Sequence, residues 1–239
     1  MKTKSIYVVL IILGSIISSC DHEIIRARGE VTSREINFSG YSALNVSHAF
    51  DTYVRFSDTE EKIEIEANGN LHDKIIVEMV NGTLSIRFRD HINIKGNPTL
   101  NAYIVTKSIN NFSLSGASKV TLESELVATE VFIELFGASE FTGELDLDQL
   151  DLEAAGASYI DIFGEVDNFD VSLSGASTLK DYDLTVGALD IGLSGASDAY
   201  LSVAQTMDID ASGASKLRYK GNPEINKLKL SGASEIIRK

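Results

Sequence analysis

The chain has 239 residues, is 44% hydrophobic and carries a formal charge of −14. That balance lacks the clustered Lys and Arg that replace counterions on DNA or RNA, so no nucleic-acid partner is expected, and an anionic membrane surface is a poor main partner for the same reason. The single cysteine, Cys20, excludes an intramolecular disulfide and a cysteine-rich metal centre.

The N-terminus reads as a targeting segment. Lys2 and Lys4 precede an apolar run from Ile6 to Ile17, the length a signal peptide uses and too short for a comfortable spanning helix. Ile17-Ser18-Ser19-Cys20 follows. An aliphatic residue, two small residues and a cysteine resemble the bacterial lipobox. The resemblance implies removal of residues 1–19, lipidation of Cys20, and anchoring to the cell envelope at the outer membrane, on its periplasmic or its exposed side. Residues 20–29 are then a lipidated tether, and 30–239 a single domain.

Residues 30–110 are rich in strand patterns. EINFSGYSALNVSHAFDTYVRF (35–56), KIEIEA (62–67), KIIVEMV (74–80) and TLSIRF (83–88) alternate apolar and polar side chains, with turns at Asn68-Gly69-Asn70 and Asn81-Gly82. Lys-Gly-Asn-Pro occurs at 95–98 and again at 220–223, each time before a strand leading into SGAS. No linker divides the halves. The first half reads as a less regular part of the same architecture that caps its N-terminal end.

From residue 110 onward the tripeptide Gly-Ala-Ser occurs seven times, led by Gly116, Gly137, Gly156, Gly175, Gly195, Gly213 and Gly232, at spacings of 18 to 21 residues. Four residues before each Gly stand Phe112, Ile133, Leu152, Val171, Ile191, Ile209 and Leu228. Two before stand Leu114, Leu135, Ala154, Leu173, Leu193, Ala211 and Leu230; four after stand Val120, Phe141, Ile160, Leu179, Ala199, Leu217 and Ile236. All are apolar, and the position between the first two sets is polar or small. Period 2 around a recurrent Gly means strand, tight corner, strand. Repeated about every 19 residues, that unit is one coil of a β-solenoid, with like columns about 4.8 Å apart. The pattern predicts an all-β, right-handed parallel β-helix in which the seven glycines are structural turn residues. Gly takes the positive φ of a sharp corner, Ala is small enough to lie where two sheets converge, and Ser can hydrogen-bond along the turn or up the stack. Whether Ala or Ser points inward is open at this stage.

Charge is uneven. Residues 121–210 hold 20 Asp and Glu and one base, Lys180, whereas 216–239 hold seven Lys and Arg and two Glu. Lysines on the last strands read as protection of an edge against pairing with other chains.

Enzymatic chemistry finds little footing. None of the seven Ser lies in a G-x-S-x-G elbow, and His22, His48, His72 and His91 all lie outside the GAS repeat. Acids cluster at Asp146, Asp148 and Asp151, at Asp181 and Asp183, and at Asp208 and Asp210. Paired carboxylates can serve as acid and base or bind calcium, but these read as acids in different columns of different coils, on solvated outer faces. No catalytic residue, metal site or cofactor is expected.

The lipobox, NLHDKIIVEMVNGTLSIRF (70–88) and the repeated SGAS ending in SGASEIIRK (231–239) together resemble a family of bacterial lipoproteins, the putative autotransporter adhesin, head GIN domain family, over most of residues 30–239. The resemblance implies a right-handed β-helix related in shape to pectin lyases without their catalytic residues, and a role in adhesion. The expected function is a non-enzymatic, lipid-anchored envelope protein that offers a rigid repetitive surface to a protein or glycan. A structural envelope component is the alternative, and a carbohydrate-active enzyme on the same scaffold a more distant one.

Overall fold

The computed structural model describes residues 23–180 and 182–239. Each coil from Asn111 onward lies parallel to the one before it, in register except for irregularities at Val186/Ala188 and Met207/Asp208. Phe112 pairs with Ile133, and the ladder continues through Leu152, Val171, Ile191, Ile209 and Leu228. Val120 opens a second ladder through Phe141, Ile160, Leu179, Ala199, Leu217 and Ile236. The apolar columns of the sequence are therefore physical columns, and their side chains are buried up to the last coil. There Leu228 and Leu230 are 52% and 47% exposed, because among the described residues no further coil covers them.

Within one coil the alternation changes phase. Between Tyr159 and Leu173 the buried positions are Ile160, Ile162, Val166, Phe169, Val171 and Leu173, with breaks at 163–165 and 167–168. A phase break in a period-2 strand rotates the inward face, so the chain turns at each break. With the GAS corner, each coil bends three times around one apolar interior.

The stack does not begin at the first GAS. Phe112 also pairs with Leu44, which pairs with Leu84; Val120 pairs with Thr52, which pairs with Ala102. The N-terminal half thus adds two parallel coils, and their order along the axis is not chain order: the coil of residues 83–106 is outermost, and that of 43–56 lies against residue 111 onward. Beyond them the pairing turns antiparallel. Ile75–Val80 folds back on Thr83–Phe88 through Asn81-Gly82, both at positive φ, the turn that a two-residue hairpin favours. Lys62–Asn68 lies antiparallel to Leu100–Thr106, and Val31–Ile36 lies antiparallel to it in turn. These strands form the cap expected at this end. Glu23–Arg26, inside the stretch expected as a tether, is a strand paired with Ile92–Lys95.

The extra coils escape the GAS pattern because their corner is written differently. Ser47-His48-Ala49-Phe50 occupies the place of Ser115-Gly116-Ala117-Ser118. Ser115 N donates to Val46 O and Lys119 N to Phe50 O. His48 and Ala49 have φ of 66° and 61°, and Gly116 and Ala117 both have 66°. His48 therefore belongs to the repeat, contrary to the sequence reading that placed every histidine outside it.

Candidate binding faces

Each corner is built from three small residues with separate tasks. Ser118, Ser139, Ser158, Ser177, Ser197 and Ser215 point inward and are buried. Each Oγ donates to the carbonyl three residues back, at 2.8–3.1 Å. The alanines lie on the outside, so Ser, not Ala, fills the converging space. From Ala157 onward each alanine N–H donates to the corner glycine carbonyl of the coil below, for example Ala196 N to Gly175 O at 2.7 Å. The corners are thus hydrogen-bonded into a ladder of their own. A buried hydroxyl already committed to a carbonyl has no free path to a substrate, so none of these serines is placed to act as a nucleophile. Ser47 Oγ does lie 2.8 Å from His48 Nδ1, but these are neighbours in one exposed corner.

The seven glycines predicted as turn residues all have positive φ, from 66° at Gly116 to 94° at Gly156. From Gly156 onward a second constraint joins the first. A Cβ on Gly195 would lie 2.5 Å from Gly175 O, closer than van der Waals contact allows.

Two outward faces flank the corner. On the face leading into it, Asp151 pairs with Asp170, Asp170 with Asp190, and Asp190 with Asp208. The reading that the acids lie in different columns is corrected here: Asp151 and Asp208 share one column with Asp170 and Asp190 between them. The spacing carried the signal, because each of the four stands five residues before its corner glycine. The next coil ends the acidic run with Lys227. Two shallow cavities of about 340 and 320 Å³ run along this ladder and share Asp170. Partial burial, then the carboxylates of Asp190 and Asp151, push the Asp170 carboxyl above its ordinary pKa. Asp208 Oδ1 is buried without a hydrogen-bond partner among the described residues. The ladder brings one carboxylate per coil, and among the described residues no three Asp, Glu, His or Cys side chains converge as a metal would require. Asp146 lies in another column, paired with Val127 and Glu165. Asp183 contributes its carbonyl to Gly164 N. Cys20, His22 and Asp181 lie outside the described residues.

The face leading away from the corner is different. Its central column runs Tyr103, Tyr53, Thr121, Thr142, Asp161 and Lys180. Tyr53 and Tyr103 stack at 5.3 Å with their planes 14° apart. At the other end Tyr182 and Tyr200 meet edge to face at 5.8 Å. Sequence reasoning passed over this face, because its tyrosines stand at different offsets from their glycines.

Residues 40–223 match the family described as Putative auto-transporter adhesin, head GIN domain. The chain belongs to this family. The matched span opens just before the first parallel coil of the GIN domain and takes in the cap strands Lys62–Asn68 and Ile75–Val80 and six of the seven GAS corners, leaving out Val31–Ile36. Solved structures share the fold. A putative adhesin from Bacteroides fragilis NCTC 9343 superposes with a TM-score of 0.78 at 18% identity, covering 90% of this chain and 97% of that one. A putative adhesin from Parabacteroides distasonis ATCC 8503 gives 0.74 at 16% identity, covering 91% and 100%. A putative lipid binding protein from the same strain gives 0.72 at 18% identity, covering 91% and 100%. No curated protein matches this chain. At such identities the solved structures establish the GIN fold and leave function to the faces themselves.

Proposed function

We propose that this GIN domain is a non-enzymatic adhesion module of the cell envelope, held by a lipid on Cys20 after removal of residues 1–19, with its outer faces turned to an external protein or glycan. The observation that carries the reading is the register. Outward positions recur once per coil, so columns such as Asp151, Asp170, Asp190 and Asp208 offer side chains at a fixed step of about 4.8 Å. Weak contacts repeated along a rigid array add by avidity, and an extended solenoid face suits an extended partner. The adhesin description of the family and of two of the solved relatives supports the same direction. The corner serines are spent on internal hydrogen bonds, which favours binding over turnover.

The test is retention of the labelled full-length protein on immobilised extracellular proteins and glycans, with analysis of the eluate for cleaved ligand. Saturable retention with intact ligand is expected. Release of shortened or unsaturated saccharide would indicate an enzyme instead. Absence of retention on every surface, together with an envelope defect on deletion, would indicate a structural component.

A further inference from the structure

The strongest unassigned feature is the aromatic end of the second face. Tyr182, Tyr200, Thr178 and Lys180 wall a cavity of about 370 Å³, within the range of about 300–1,000 Å³ typical of small-ligand sites. The two rings stand 83° apart, so they form two walls of a corner rather than a closed stack. Cations lie against the rings. Lys220 Nζ lies 4.3 Å from the Tyr182 centroid, and Arg218 Cζ lies 5.0 Å from that of Tyr200. On the next coil Lys180 Nζ lies 6.0 Å from the Tyr159 ring. Such contacts fix both partners.

The tasks of the cations differ. Arg218 is committed within the protein, donating to Asp198 Oδ1 at 2.7 Å and to Tyr200 Oη at 3.0 Å. It positions the Tyr200 ring. Lys220 is exposed and makes no ion pair among the described residues, so its charge is available to a ligand. Lys180 is the one base in the whole acidic stretch 121–210, and it lines this cavity.

We infer that this cavity binds a sugar residue carrying an anionic substituent, a carboxylate or a sulfate, within a longer saccharide. The inference rests on the binding-module reading above and names its ligand class. A pyranose has an apolar C–H face and a polar rim. Tyrosine presents a stiff apolar body with a polar tip, at low entropic cost for ordering. The Tyr182 and Tyr200 rings take the C–H faces, the Thr178 hydroxyl and the tyrosine hydroxyls meet the rim, and Lys220, against the Tyr182 ring, meets the anion. Beyond Asp161, the Thr142 and Thr121 hydroxyls continue along the same face toward the Tyr53–Tyr103 pair, the direction in which a longer saccharide extends.

The experiment is calorimetry and a glycan array on the full-length protein, with oligogalacturonate, chondroitin sulfate and neutral β-galactan as probes. Binding of one or both anionic probes over the neutral one is expected. Tyr182→Ala and Lys220→Gln should each weaken it by roughly three- to tenfold, the scale of one ring or cation contact. Lys95→Gln, at the opposite end of the chain's stack, should not. Lys220 is exposed, so its variant reports on binding even if the ring variant is unstable. Equal affinity for the neutral probe, or anionic binding untouched by both variants, overturns the inference. So does the absence of saccharide binding. If the protein is nevertheless retained on an immobilised protein, the module reading stands while this site falls; if it is retained on nothing, both fall.

Discussion

The carbonyl oxygen of Gly175 lies 2.5 Å from where a Cβ on Gly195 would sit, and it accepts the N–H of Ala196 at 2.7 Å. One atom thus both bonds the next coil and forbids it a side chain. Gly195→Ala should cost the left-handed penalty of about 1–2 kcal/mol and a further 1–3 kcal/mol or so for overpacking. At Gly116 the nearest atom to an added Cβ is His48 N at 3.2 Å, a contact that can relax. Gly116→Ala should therefore cost only about 1–2 kcal/mol. Denaturant unfolding of the two variants measures the difference; equal losses would contradict the corner geometry.

The inward serine is the second element of the corner. Ser197 Oγ donates to Ser194 O at 2.8 Å in a fully buried site. Ser197→Ala should lose about 1 kcal/mol, the usual net worth of such a bond. Ala196→Ser, on the outside of the same corner, should stay within about 0.5 kcal/mol of the parent. Thermal melts resolve this, since about 1 kcal/mol moves the midpoint of a domain this size by roughly 2–4 °C.

How much of this was legible in the sequence depended on what repeats. Phe112, Leu114 and Val120 head columns whose members stand at fixed offsets from the corner glycine, so the coil and its interior could be read directly. Ala and Ser are both small, and nothing in the letters GAS says which turns inward. The Ser47-His48-Ala49-Phe50 corner was hidden because His48 adopts the left-handed backbone of a glycine while its ring packs edge-on against Phe88. The aspartate ladder was legible in principle, through its constant offset, but grouping acids by closeness along the chain hid it. The Tyr182–Tyr200 site draws on neighbouring columns and was not legible from any one of them.

The aspartate ladder makes stability depend on pH. Asp170 has its carboxyl pKa raised by partial burial and by Asp190 and Asp151. A folded-state pKa above the unfolded one means the protonated form is preferred on folding. The associated stability is present below the unfolded pKa and is lost as pH rises through the folded value. Asp170→Asn should therefore raise the melting temperature at pH 7 and leave it nearly unchanged near pH 3. Like-charge surface contacts are worth up to about 1 kcal/mol, and added salt should shrink the effect. A variant less stable at pH 7 would show that the carboxylate is bound usefully, by a cation or a donor.

Lipidation at Cys20 has a direct chemical readout. Cells fed labelled palmitate should label the protein, and Cys20→Ser should abolish the label and leave an unprocessed precursor longer by the 19 leading residues. Two or more acyl chains hold a protein stably on a membrane, where one does not. Persisting label in the variant would place the anchor elsewhere.

The in-register stacking of corners is tested most directly by cysteine pairs in a full-length Cys20→Ser background. Ala176 and Ala196 occupy matching corner positions on adjacent coils, one strand spacing of about 4.8 Å apart, inside the window of about 4.4–6.8 Å that a disulfide spans. Ala157 and Ala196 are two coils apart, roughly twice that step. The Ala176→Cys/Ala196→Cys pair should close readily under mild oxidant, and the Ala157→Cys/Ala196→Cys pair should remain reduced. Failure of the adjacent pair to close, or equal closure of both pairs, would contradict a stack in which each GAS corner rests on the one before it.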